Sequence, residues 1–493
     1  MMAKVVGKLR SLSPEQILLG GTIVLLAWAP LPFGSNRLWS MSLLSIWSAI
    51  LLAGLSIDAW RTNRRFALPS QLTMSAGFFG FVIAWAFIQW TTWTPGFLHH
   101  PVWTLAAETL GAELQGRISV NPASTLHATV TLAGYGALFW VAFNLSRKPG
   151  HAFTIVKAVA LIAGIYAWYG LAVFVSGNES VLLYQKWEYP GALTSTFVNA
   201  NNFATYAGIG LVCASALILR GIRPVLRSPT RTRVKVVQAT EIALSGHGIY
   251  VFVAFGTFAA LMLTGSRAGI SSAFVALFLL LFLMLRSRRM SRGRLVRVGG
   301  AALVMLLLAA LPLSGLVTER LTRPDTALTE NARFDVYRLT VTAISDTPLL
   351  GTGYGTFADV FPSYRDSTVF TPSYWRKAHS TYLETVLELG IPAGLALIIA
   401  VAWVVWLCFT DALRRKRYRA LPASATAAAV LAGLHSSIDF GLQIPAIAAT
   451  LSALLGASIG WCTELDDAKT RQNPKSRIDK DVSAMGAGPP TRQ

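Results

Sequence analysis

Apolar stretches close to the length of a bilayer crossing dominate this chain, and polar segments of varying length separate them. A spanning helix needs about 20 apolar residues. Runs of that kind centre on residues 17–34, 38–57, 72–93, 123–145, 153–176, 200–219, 247–264, 269–285, 298–317, 381–409, 422–440 and 444–463. The pattern predicts an all-α polytopic membrane protein with about 12 transmembrane helices. Three polar segments stand apart from the short connections: one near residues 94–122, one near 177–199, and a long one from about 318 to 380. Long connections between helices carry function more often than short ones. The last contains "ARFDVYRLTVTAISD", whose pattern predicts a helix lying outside the membrane.

Composition supports this reading. The 493 residues are 53% hydrophobic and 13% charged, where a soluble domain carries about 25% charged residues. Charge then orients the chain. With the N-terminus inside, the inner segments hold 32 of the 43 Lys and Arg residues, the bias that positive-inside insertion demands. Both termini are therefore expected in the cytoplasm. The net charge of +20 is accounted for by inner loops beside anionic headgroups, so no nucleic-acid partner is expected. Lys4, Lys8 and Arg10 before an apolar stretch resemble a signal peptide. Pro30 directly after Ala27-Trp28-Ala29, with further spans beyond, predicts a retained first helix instead. Cys213, Cys408 and Cys462 all fall inside apolar runs and read as small buried residues.

The expected organisation is an N-terminal transmembrane bundle over 1–180 and a core over 181–410 that includes the outer loop 318–380. A transmembrane pair over 411–463 and a disordered cytoplasmic tail over 464–493 follow.

Candidate chemistry gathers on the outer side. In "LTGSRAGISS", Arg267 lies at a helix N-terminus, where backbone N–H groups and a guanidinium attract anions; a snorkelling arginine is the alternative. In "ENARFDVYRLTVTAISDTPLLGTGYGTF", Arg333 and Tyr337 are four apart and share a helix face, while Arg338 turns elsewhere. The glycines of "GTGYG" follow a helix, not a strand, and read as a turn instead of a nucleotide loop. In "KAHSTYLETVLELGIPAG", His379 precedes a span, where the helix dipole keeps an imidazole neutral and able to accept a proton. A helix-end histidine with no chemical role is the competing reading. Glu384 and Glu388, one turn apart, are placed to orient it or to bind sugar hydroxyls. "FVNANNFATY" opens a span with Asn199, Asn201 and Asn202, suited to capping or glycan contact. His435 and Asp439, four apart, read as a buried polar pair. No metal-ligand spacing occurs in the sequence.

Four of these stretches, "STFVNANNFATY", "TGSRAG", "ENARFDVYRLTVTAISDTPLLGTGYGTF" and "AHSTYLETVLELGIPAG", resemble in that order the O-antigen ligase / O-antigen polymerase (Wzy-type) superfamily. The resemblance covers roughly residues 190–410, and "HSSIDFGLQIPA" is similar to members associated with exopolysaccharide polymerisation. It implies a bacterial inner-membrane glycosyltransferase that works at the periplasmic face; two arginines can neutralise a pyrophosphate leaving group without a metal, a single displacement would invert the anomeric configuration, and no cofactor is expected. Its implied partners are an undecaprenyl-pyrophosphate-linked glycan, a glycan or lipid A core acceptor, membrane lipid and other polysaccharide-assembly proteins. The family's two arginines and histidine fall on Arg267, Arg333 and His379. Arg338, Tyr337, Asn199, Asn202, Glu384 and Glu388 are the expected substrate contacts. A transporter or lipid-linked-glycan flippase is the rival class. It would show internal repeats and mid-membrane charges, whereas most ionisable residues here cluster at the faces.

Overall fold

The computed structural model describes residues 13–228, 230–286, 324–369, 375–415 and 417–472. Its helices are α1 (Pro14–Trp28), α2 (Leu38–Arg61), α3 (Thr73–Trp90), α4 (Val102–Leu110), α5 (Pro122–Leu145), α6 (His151–Val175), α7 (Ala200–Arg227), α8 (Thr232–Ser245), α9 (Gly248–Leu263), α10 (Arg267–Leu285), α11 (Pro324–Asp346), α12 (Phe357–Val360), α13 (Thr381–Arg414), α14 (Ala420–His435) and α15 (Pro445–Gln472). A hairpin of β1 (Ser180–Val181) and β2 (Tyr184–Gln185) stands between α6 and α7.

Every expected apolar run except 298–317, which lies outside the described residues, coincides with a helix. Among the described residues, eight helices are long and apolar enough to cross a membrane; α1, α9 and α14 are apolar but shorter. The chain is a multi-pass membrane protein. The closely spaced runs at 247–285 and 422–463 resolve into separate helices, because Gly265 turns the chain with φ +64 and α14 ends at His435.

Close helix packing comes from small residues. Gly456 and Gly460 of α15 lie against the backbone of Phe139 and Phe143 on α5, where an added Cβ would collide with carbonyl oxygens. This is the GxxxG approach through which helices meet in lipid. Buried Ala and Gly positions on α14 and α15 extend the same tight contact.

One end of the bundle is basic and ion-paired. Arg64 bridges Glu15 at 2.8 Å and Asp58 at 3.2 Å, and Lys148 also pairs with Glu15. Arg147 reaches Glu464 at 3.0 Å and Asp467 at 2.8 Å, and Arg415 reaches Asp411 at 3.1 Å and Asp466 at 2.7 Å. These pairs correct one expectation. The tail was expected to be disordered from 464, but α15 continues to Gln472. Its acidic side chains are held there by the arginines of neighbouring helices.

The other end carries α4, the β-hairpin, α11 and the start of α13. A small separate core of Val336, Leu339, Ala343, Phe357, Phe361, Val369, Ala378 and Leu387 fastens α11 to the first turns of α13. The helix breaks below this core. Gly390 has φ +78 and ψ 161, and Pro392 offers no N–H. The carbonyls of Leu387, Glu388 and Leu389 thus lose their helical donors. The "GTGYG" turn supplies substitutes: Thr352 N–H donates to Leu387 O at 3.1 Å and Gly353 N–H to Glu388 O at 3.0 Å. Gln89 Nε2 donates to Glu388 O and Trp85 Nε1 to Leu389 O, both at 2.9 Å, while Ile391 N–H finds Pro348 O at 2.8 Å. A buried unpaired backbone group costs about 1–3 kcal/mol, so the turn and α3 together make the break tolerable. The glycines are a turn, as their position after a helix predicts.

Candidate active site

His379 sits just before α13, in the left-handed region at φ +53, with Ser380 as the helix N-cap. A non-glycine residue held there is strained and requires its surroundings to fix it. Tyr337 of α11 donates its hydroxyl to the His379 carbonyl at 2.8 Å. One residue earlier, Ala378 N–H donates to Glu384 at 2.8 Å, and Glu384, 1% exposed, is ion-paired to Lys377 at 2.9 Å. Thr381 N–H donates to Ser436 O at 2.9 Å, tying the same turn to the end of α14. The histidine's backbone is thus fixed from three elements.

The ring is fixed as well. Trp375 and Phe440 approach it edge-on, with centroids at 5.3 and 5.1 Å. Nδ1 is buried and faces Asp439 Oδ1 at 3.9 Å, too long for a hydrogen bond but close enough for charge to act. That leaves Nε2 on the accessible edge of a side chain that is 17% exposed. Burial holds the His379 pKa below its ordinary value; Asp439 pulls it up, Arg333 pushes it down, and Glu384 pulls it up weakly. Burial, the largest of these effects, favours the neutral ring.

Asp439 is the hub. It is 1% exposed, accepts from Asn201 Nδ2 at 2.7 Å and from Phe440 N–H at 2.7 Å, and its field reaches Tyr189, Tyr337, His379 and His435. The Arg333 charge acts on the same four groups. Tyr189, at φ +56 in the loop before α7, accepts from Asn199 Nδ2 at 2.9 Å, and burial raises its pKa first, with Asp439 adding to the rise. Arg267 is the first residue of α10, behind the N-cap Ser266. Its helix start adjoins the cluster, because a Cβ on Gly269 would lie 3.2 Å from His435 Cε1.

Among the expected site residues, His379 faces Asp439 at 3.9 Å, Tyr337 feels the Asp439 charge, and the Arg333 charge acts on both His379 and Tyr337. Asn199 joins through Tyr189, but its side-chain oxygen caps α7 through Asn201 N–H and Asn202 N–H. Asn202 is buried in the helix packing at 3% exposure. Arg338 points away from His379: it is exposed and bonded to Asp366 at 2.9 Å and Thr368 at 3.0 Å. Asp366 is held down to about 2, chiefly by the Thr368 hydroxyl and then by Arg338. Glu384 acts on the backbone before His379, and Glu388 is buried behind the "GTGYG" turn, accepting from Phe357 N–H at 3.0 Å.

His435 and Asp439 are both buried and interact through charge, but each makes its side-chain hydrogen bond with another partner. An (i, i+4) contact needs continuous helix, and α14 stops at His435. His435 Nδ1 bonds Thr205 Oγ1 at 2.6 Å, while Asp439 turns to Asn201 and His379. Trp375, Tyr189 and Phe440 escaped sequence reading altogether. Asp439 carried a usable signal, an acid at the outer end of an apolar run.

The helical multi-pass bundle thus gathers a histidine, an arginine charge and a buried acid at one end. The comparison with known families adds to this: residues 252–398 match the model described as Wzy_C, O-Antigen ligase, which places this segment in the O-antigen ligase/polymerase superfamily. The match spans α9 through the first half of α13 and includes Arg267, Arg333 and His379. It supports glycosyl transfer of the O-antigen ligase type, with a lipid-linked glycan and an acceptor as substrates. No curated protein matches the chain.

Proposed function

We propose that the protein transfers a glycan from an undecaprenyl-pyrophosphate carrier to a hydroxyl acceptor at the periplasmic face of the bacterial inner membrane. The reaction is the joining of O-antigen or exopolysaccharide repeat units. The observation that carries this reading is His379, biased to its neutral form by burial, with Nε2 accessible and the ring within reach of the Arg333 and Asp439 charges. In the proposed step, the acceptor oxygen attacks the anomeric carbon as His379 Nε2 takes its proton. The new bond is acceptor O–C1; the bond broken is C1–O to the carrier's pyrophosphate, which leaves with the electron pair. Arg267 and Arg333 balance that charge, which is the electrostatic stabilisation such a departure needs, and no metal is required. Asp439 stabilises the imidazolium as it forms. A single displacement inverts the anomeric configuration.

A second reading, transfer to lipid A core, is favoured by the family description of the matched segment as a ligase. Purified protein supplied with lipid-linked repeat units, with and without lipid A core, separates the two by the product formed. His379→Ala is expected to lower either transfer by about 10²–10⁴-fold. Full activity in His379→Ala or Arg267→Ala vesicles would overturn the assignment.

A further inference from the structure

A second polar-aromatic site opens on the same end of the bundle. Phe33, Arg37, Trp39, Tyr184 and Trp187 line an open cleft of about 440 Å³. The Arg37 guanidinium lies 5.5 Å from the Phe33 ring centroid and 5.7 Å from that of Trp187. No carboxylate pairs with it among the described residues. Phe33 also meets Tyr184 at 5.6 Å and Trp187 at 5.9 Å, so rings from the two walls of the cleft meet.

The walls are built, not draped. Phe33 and Ser35 hold positive φ values of 55 and 59, and Ser35 Oγ donates to Ala29 O at 2.7 Å. The 30–36 turn is braced from behind by Thr196 Oγ1, which donates to Pro30 O at 2.8 Å. Gly34 packs so closely on Phe197 that a Cβ would stand 2.7 Å from its ring. The opposite wall is the β-hairpin, closed by Lys186, which donates to Ala192 O at 2.8 Å and pairs with Glu179 at 3.1 Å. Leu183 at the hairpin tip is 98% exposed and stays outside the cleft.

Pyranose rings present C–H faces to aromatic side chains, and an arginine without a carboxylate partner between such rings suits an anion. The loop that carries Tyr184 and Trp187 continues directly to Tyr189, which bonds Asn199 and feels the Asp439 charge. Cleft and candidate active site are therefore neighbours along one short loop. We infer that the Phe33–Arg37–Trp187 cleft is a subsite for an acidic sugar of the glycan, with the carboxylate of a uronic acid on Arg37 and its ring against Trp187. The inference rests on the glycosyl-transfer reading and gives it a substrate class.

The test is direct binding of trigalacturonate, with neutral maltotriose as the matched probe, to the full-length protein in phosphatidylcholine nanodiscs. Saturable binding of trigalacturonate is expected. It should weaken at least about tenfold in Arg37→Gln and in Trp187→Ala, remain unchanged in Leu183→Ala, and exceed that of maltotriose. His379→Ala should still bind, so loss of the transfer reading and loss of the subsite are separable results. Equal affinity for both sugars, or unchanged affinity in Arg37→Gln, would overturn the inference. So would abolition of binding by phosphatidylglycerol discs, which would mark the cleft as a lipid-phosphate site.

Discussion

Asp439→Asn isolates the contribution of the acid beneath His379 while preserving its shape. Between unit charges 3.9 Å apart, the Coulomb energy is about 4 kcal/mol at an effective dielectric constant of about 20 and about 1 kcal/mol in bulk water. His379 is partly exposed and Asp439 buried, so the interaction falls between those limits. In the proposed step the charge exists on His379 only after it takes the acceptor proton, so the loss is expected in the chemical step. A slowing of about fivefold to about 10³-fold in single-turnover transfer is expected. The pH dependence supplies a second, independent sign. Burial and Arg333 hold the His379 pKa down; Asp439 and Glu384 hold it up. Tyr337 and Tyr189 face the same space with raised pKa values, burial being the main cause, and carry no charge near neutrality. Removing Asp439 therefore shifts the acid limb of the rate profile to lower pH, where more of the ring is already deprotonated. Arg333→Gln shifts that limb upward. A single-turnover rate for Asp439→Asn within about twofold of wild type, or an acid limb that rises, would refute the electrostatic role assigned here.

Two further substitutions test the frame around the site. Gly351→Ala places a Cβ against the Glu388 carbonyl and the Gly390 amide at a φ of +68. The combined backbone and packing strain is expected to cost about 2–5 kcal/mol, read as a lower melting temperature in detergent. Gly111→Ala, with φ +61 and open space around it, serves as its control and should cost only about 1–2 kcal/mol. Arg338→Ala should leave transfer within about threefold of wild type, because its exposed guanidinium is engaged by Asp366 and Thr368 and such surface pairs contribute little; a larger loss in the transfer assay would bring Arg338 back to the substrate.

The helices were legible because lipid imposes length and apolarity on every crossing, and no soluble packing competes with that demand. Arg333 and Tyr337 were legible as partners because both lie inside one continuous helix, where spacing fixes the face. His435 and Asp439 were legible as buried and coupled but not in their hydrogen bonds, since periodicity does not reveal that α14 stops between them. Tyr189 and Trp375 lie in irregular segments, whose placement depends on what they pack against. The glycines of "GTGYG" were legible as a turn, but their role of bonding a broken helix depends on Gly390 and Pro392, far along the chain.

That broken helix has a mechanical consequence. His379 precedes a segment, Thr381 to Leu389, that is joined to the long lower part of α13 only through Gly390, and is clamped from outside by the loop and α3. α3 and the turn before it also grip the lower part, through Ser75 Oγ donating to Ala400 O at 2.7 Å and Trp403 Nε1 donating to Gln71 O at 2.8 Å. A tilt of the lower helix is therefore shared with α3 instead of stopping at Gly390, and the turn that carries His379 rests on loop, α3 and α13 together.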